Sequence, residues 1–223
     1  ERLQYLELLS QKFPSPAQVS TEIINLNAIL GLPKGTEHFI SDIHGEYRLF
    51  LHILKNASGS VRRKIFQCFS EEEMSTAEMD ELATLIYYPE EKLALLKEAH
   101  GSLNQVWYTT TLLHLVQVCR KATSKYTRSK VRKALPQDFA YIMEELLNPQ
   151  DQHNKHTYYD NIIRSVIDTG MADTLITELC TFIKRMAVDT LHIVGDIFAR
   201  GPHADVILDN LMGHHSVDIQ GGN

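Results

Sequence analysis

The chain has 223 residues, 43% hydrophobic and 22% charged, with a formal net charge of −6, which suits one or two globular domains able to bury a sizeable core. The acidic balance gives no sign of a nucleic-acid binder held by bulk charge, no apolar run approaches the roughly 20 residues that span a bilayer, and no apolar h-region of a secretory signal is visible. Cys68, Cys119 and Cys180 are odd in number, far apart and fit neither a metal spacing nor a disulfide framework; they read as small buried hydrophobes in a reduced, cytoplasmic setting.

In chain order, Leu3, Leu6, Leu8 and Leu9 mark a first helix, broken by Pro14 and Pro16. A second helix, capped by Ser20 or Thr21 with Glu22 in its first turn, runs through Leu30, and Gly31, Pro33 and Gly35 make a turn. Residues 38–41 predict a strand, then a loop, then a helix from about residue 46 to 56 whose buried face is Leu49, Phe50, Ile53 and Leu54. From Val61 to Ala187 the pattern is helical throughout, with breaks at Pro89, Gly101, Pro136, Pro149 and Gly170. A strand over 190–194, a helix over 202–211 and a strand over 216–220 follow.

The expected organisation is therefore a first βα unit with N-terminal helices over 1–60, an all-helical insertion over 61–187, and a second βα unit with a third strand over 188–223. That is an α/β sandwich carrying a large insertion. It is expected to be incomplete at its C-terminus, because the chain stops at Asn223, directly after the third strand.

Each predicted strand ends in a metal-capable residue: Asp42 with His44 two residues on, Asp196, and Asn223. In α/β sheets, sites collect beyond the carboxyl ends of the strands. An Asp can bridge two divalent ions, and imidazole and amide oxygens complete shells suited to manganese, iron or zinc. Two such ions about 3.5–4 Å apart can grip a phosphoryl group for in-line attack. Arg200, four residues after Asp196, stands where a planar donor fork could clamp phosphate oxygens. Alone, an Asp-x-His or a strand-end Gly-Asp is usually structural; the ordered set favours a metal site.

Asp42-Ile43-His44-Gly45 and Gly195-Asp196-Ile197-Phe198-Ala199-Arg200-Gly201 resemble the first two motifs of calcineurin-like metallophosphoesterases. Flanking runs narrow this, among them Tyr5-Leu6-Glu7-Leu8-Leu9-Ser10, Leu32-Pro33-Lys34-Gly35-Thr36-Glu37-His38-Phe39 and Ser216-Val217-Asp218-Ile219-Gln220; the chain resembles the bacterial class III fructose-1,6-bisphosphatases from end to end. The resemblance implies a metallophosphoesterase sandwich and a manganese-dependent sugar phosphatase of gluconeogenesis. It would remove the 1-phosphate of fructose 1,6-bisphosphate to give fructose 6-phosphate. It implies that Asp42 and His44 hold the first metal, that Asp196 bridges, that Asn223 holds the second, and that Arg200 contacts phosphate. The partner is a small sugar phosphate, with no nucleic acid and no membrane; a homo-oligomer is compatible. The family's Gly-Asp-x-x-Asp-Arg-Gly has Ala199 in place of its second Asp here, which would leave a downstream acid histidine unsupported. Because later ligands should follow Asn223, the fragment alone is expected to be inactive. The alternatives are a protein Ser/Thr phosphatase or phosphodiesterase of the same superfamily, or a degenerate non-catalytic module.

Other signals read as structural. His214-His215 fits a loop with diverging side chains, His153 and His156 a solvated loop, and His52, His100 and His114 packing or surface positions. Trp107 reads as a packing anchor. The basic run Arg120-Lys121, Lys125, Arg128, Lys130, Arg132-Lys133 reads as a solvated face, with an anion-binding surface as the sharper alternative.

Overall fold

The structure, a computed structural model, describes residues 2–148 and 156–222; Pro149, His153 and Asn223 lie outside the described residues. Helices α1 (Arg2–Lys12) and α2 (Pro16–Leu30) come first and bury none of their residues. The cap of α2 is Ser15, whose Oγ accepts from the Gln18 amide at 3.3 Å, and not Ser20 or Thr21. Pro16 opens this helix because a first-turn proline has no amide to waste and its fixed φ is already helical.

Strand β1 (Glu37–Ser41) leads through a tight loop into α3 (Tyr47–Asn56). A helical block follows: α4 (Ser60–Phe66), α5 (Thr76–Tyr87), α6 (Pro89–His100), α7 (Gln105–Thr123), α8 (Arg128–Ala134), a 3₁₀ turn (Gln137–Phe139), α9 (Ala140–Leu147), α10 (His156–Asp168) and α11 (Ala172–Ala187). Then come β2 (Thr190–Gly195), α12 (Ala204–Met212) and β3 (Val217–Gly221). The chain is thus mixed α/β, mostly helical, with one small sheet.

Buried apolar side chains fall into two clusters. The larger is made by α4 to α11, with Leu112, Leu115, Leu175, Leu179 and Ile183 fully buried. Cys119 and Cys180 lie in it; Cys68 is half-buried at its edge, and all three are free thiols. Trp107 packs against the same cluster, as expected. The smaller cluster joins the sheet to its two flanking helices through Ile40, Leu191, Ile193, Phe50, Ile207 and Leu211.

The sheet order is β1-β2-β3, and both pairings are parallel. Side chains alternate across a strand, so Ile40, Leu191 and Ile193 face α3 and α12 while Phe39, His192 and Asp218 share the other face. On that face the Phe39 ring stacks on His192, and His192 Nδ1 contacts Asp218 Oδ1. Leu49 departs from expectation: it is 60% exposed, and Phe50 is the buried anchor of α3. Leu49 instead lines a cleft beside the strand ends.

At the N-terminal ends of the strands one carboxylate ties the sheet to the helical block. Asp189 accepts from the Thr36 amide (2.7 Å), Tyr126 Oη (2.6 Å), Lys125 Nζ (3.0 Å) and Lys130 Nζ (2.5 Å). Its side chain is only 12% exposed. Burial alone would raise its pKa, but the hydrogen bonds from Lys130, Tyr126, Lys125 and Thr36 win and hold it far below the carboxylate range. Two lysines of the basic run thus have a buried partner and are not simply solvated. Removing this anion leaves the buried Lys125 ammonium and the Tyr126 hydroxyl without their acceptor, while Lys130 stays hydrated, so Asp189→Ala is expected to cost about 3 kcal/mol in urea unfolding. Because the folded pKa is depressed, the stabilisation is complete above the unfolded pKa of about 4 and is lost as pH falls below it. Asp189→Asn should therefore flatten the acid limb of the midpoint-versus-pH curve; an unchanged limb would remove Asp189 as its source.

Candidate functional site

A left-handed residue follows β1, Asp42 (φ 50°), and another ends β2, Gly195 (φ 96°), both just past the Ser41–Val194 pair. The two loops that follow are zipped together by backbone hydrogen bonds. His44 N–H donates to Asp196 O (3.0 Å), Gly45 N–H to Ile197 O (2.8 Å) and Gly201 N–H to His44 O (2.7 Å). His44, Ala199 and Arg200 also have positive φ. Such conformations cost about 1–3 kcal/mol each for non-glycine residues and cluster where a site over-determines the backbone.

Each strand-end carboxylate leans over a glycine of the neighbouring strand. A Cβ on Gly195 would sit 2.5 Å from Asp42 Oδ1, and one on Gly222 would sit closer than 3.0 Å to Asp196 Oδ1. Gly195 is therefore required twice, for its φ and for the space taken by the Asp42 carboxylate. Gly222 makes the same room for Asp196, whereas a Cβ at Gly221 would meet open space. The Asp196 amide also lies 3.5 Å from Asp42 Oδ1.

Asp42, His44 and Arg200 line one cleft of about 270 Å³ together with Glu46 and Leu49. Sequence reasoning marks Glu46 only as a helix start; its position directly after the Asp-x-His-Gly turn is the signal for a role in the cleft. Asp196 stands on the neighbouring turn, joined through its carbonyl to His44. Asn223 lies outside the described residues, so its proximity to Asp196 rests on sequence alone.

The donor set fits a divalent metal in chemistry. Two carboxylates supply hard anionic oxygen. His44 Nδ1 is buried without a hydrogen-bond partner, an arrangement that costs free energy unless something else satisfies the imidazole. Among the described residues, no group of three or more His, Cys, Asp or Glu side chains stands close enough together to hold an ion. The described residues thus offer part of a shell.

Ala199 holds φ 76° at the position where the motif that the sequence resembles has Asp. Asp tolerates left-handed backbone better than Ala because its short polar side chain bonds locally. Ala199→Asp is expected to leave stability unchanged or raise it by up to about 1 kcal/mol, read as the thermal midpoint; a fall of several degrees would show that the loop has no space for the carboxylate.

The remaining candidates lie elsewhere. His214 and His215 are in the α12–β3 loop as expected, but their rings stack at 4.4 Å instead of diverging. His52 bonds Tyr88 Oη, and His114 packs edge-on against Phe69. Among the described residues no helix is long and apolar enough to cross a membrane.

Comparison with known proteins follows the same lines. The family model for Firmicute fructose-1,6-bisphosphatase matches residues 4–223. The chain is 58% identical to the class 3 fructose-1,6-bisphosphatase of Clostridium tetani over 222 residues, 56% to that of Alkaliphilus metalliredigens and 55% to that of Bacteroides thetaiotaomicron. Each alignment covers 99% of this chain and 33% of the relative, so the chain spans about a third of the length of these relatives. No solved structure gives a significant match.

Proposed function

This chain belongs to the Firmicute fructose-1,6-bisphosphatase family, and from that premise we propose that the whole protein is a metal-dependent phosphatase that hydrolyses the 1-phosphate of fructose 1,6-bisphosphate to give fructose 6-phosphate. The observation that carries the reading is the pair of interlocked strand-end turns, with Asp42 and His44 on one, Asp196 and Arg200 on the other, and glycines cut to fit the two carboxylates. We assign the sheet to a metallophosphoesterase sandwich on the same grounds. Asp42 and Asp196 stand just past the carboxyl ends of its parallel strands β1 and β2, where α/β sheets place their sites.

In this reading Asp42 and His44 would hold one divalent ion, Asp196 would be shared with a second, and Asn223 would serve the second; manganese would suit the oxygen-rich donors, with iron and zinc as alternatives. When bound, the ions neutralise charge on the phosphoryl oxygens and acidify the attacking water. The chain's own residues do the positioning. The zipped loops hold Asp42 and Asp196 in register, so no reorganisation is needed as charge builds. Arg200, on the rim of the cleft, offers a planar fork to the phosphate. Ala199 has no carboxylate with which to orient an acid for the leaving alkoxide. We place the reaction in the cytoplasm, as a step of gluconeogenesis acting on a small sugar phosphate.

A substrate panel with the whole protein and manganese tests this. Preferred hydrolysis of fructose 1,6-bisphosphate is expected; preference for a phosphoprotein or a phosphodiester would overturn the substrate, and no hydrolysis of any would favour a non-catalytic module.

A further inference from the structure

A second cleft with a mixed polar and apolar lining is at the other end of the strands. It has a volume of about 540 Å³ and lies where α2, α8 and the segment joining α11 to β2 meet. The strand-end site and this cleft are separated by the length of β2, six residues, or roughly 20 Å at about 3.3 Å per residue.

One wall is cationic: Lys125, Lys130, Lys133 and Arg185 line it, and the carboxylate on the floor is Asp189. Asp189 is already engaged with Lys125 and Lys130. Arg185 donates only to the Ala134 carbonyl, at 3.3 Å, and neither Arg185 nor Lys133 has an acidic partner among the described residues. Cations gathered around one spent carboxylate leave a positive field inside a concave, partly desolvated space, which concentrates anions. The opposite wall is apolar, formed by Ile29, Leu32 and Pro33. The volume is within the range of small-ligand pockets, about 300–1,000 Å³.

We propose that this cleft binds a small organic phosphate, its phosphate held by Lys133 and Arg185 and its carbon body resting on Ile29, Leu32 and Pro33. An arginine fork beside a lysine suits the oxygens of a phosphate dianion. The apolar wall discriminates an organic phosphate from a bare inorganic ion. Lys125 and Lys130 add long-range attraction without leaving Asp189.

Phenylphosphonate, which phosphatases do not hydrolyse, and inorganic phosphate serve as probes, titrated calorimetrically into the whole protein. Phenylphosphonate is expected to bind more tightly than inorganic phosphate. The Lys133→Ala/Arg185→Ala variant should lose about tenfold or more in affinity at this cleft, because two charge-assisted hydrogen-bond donors are removed, while Arg200→Ala leaves binding at this cleft unchanged. Lys133→Gln, at an exposed position, should show a smaller loss and covers the case in which the double variant does not fold. Loss of binding only in Arg200→Ala would place the anion at the strand ends and overturn the proposal. Absence of saturable binding, or no difference between the two probes, would also overturn it.

Discussion

Replacing Asp196 by alanine in the whole protein is expected to lower turnover of fructose 1,6-bisphosphate by about a thousandfold or more. Asp196 follows β2 directly, stands beside Asp42, and projects into space that a side chain at position 222 would fill. A carboxylate shared between two ions organises both, and loss of that arrangement removes several kcal/mol of charge stabilisation; about 1.36 kcal/mol corresponds to each factor of ten. Stability should barely change, because Asp42 loses a like-charged neighbour. The measurement is kcat with manganese alongside the thermal midpoint. Turnover within tenfold of the parent would show that Asp196 is not at the centre of the chemistry.

The second large effect is structural. Gly45→Ala is expected to destabilise the protein by more than about 3 kcal/mol, through two additive causes. Position 45 has φ 72°, which costs alanine roughly 1–2 kcal/mol. A Cβ there would also lie closer than 3.0 Å to the Gly201 carbonyl, which is backbone and cannot swing aside. Relief requires parting the loops that the Gly45–Ile197 and Gly201–His44 hydrogen bonds join, so metal affinity should fall with stability. Urea unfolding checks the first consequence and manganese titration the second. A stable variant with normal metal affinity would mean that the two loops need not touch for the site to form.

Much of this was legible in residue order. Short apolar runs ending in Asp42 and Gly195-Asp196 show the strands and the turns that follow them, because a strand and the sharp turn after it are local features. The long helical stretch was legible for the same reason. What escaped depended on contacts between distant parts of the chain. Asp189 meets Thr36 across 153 positions, and no local pattern announces that pairing. Gly222 looks like an ordinary turn glycine until Asp196 is seen beside it. Leu49 and Phe50 are both apolar neighbours on one helix, and only the direction of the sheet decides that Phe50 is buried and Leu49 faces the cleft. Pro16 reads as a helix breaker or a helix opener; the Ser15 cap settles the choice.

The most direct test of the central claim is chelation and reconstitution of the whole protein. Phosphate release from fructose 1,6-bisphosphate should vanish when divalent metal is stripped and return with manganese. Metal analysis should find two ions per chain in the parent and fewer in Asp196→Ala. Undiminished phosphate release from the stripped protein, or an Asp196→Ala variant that keeps both ions, would contradict the two-metal site at the strand ends.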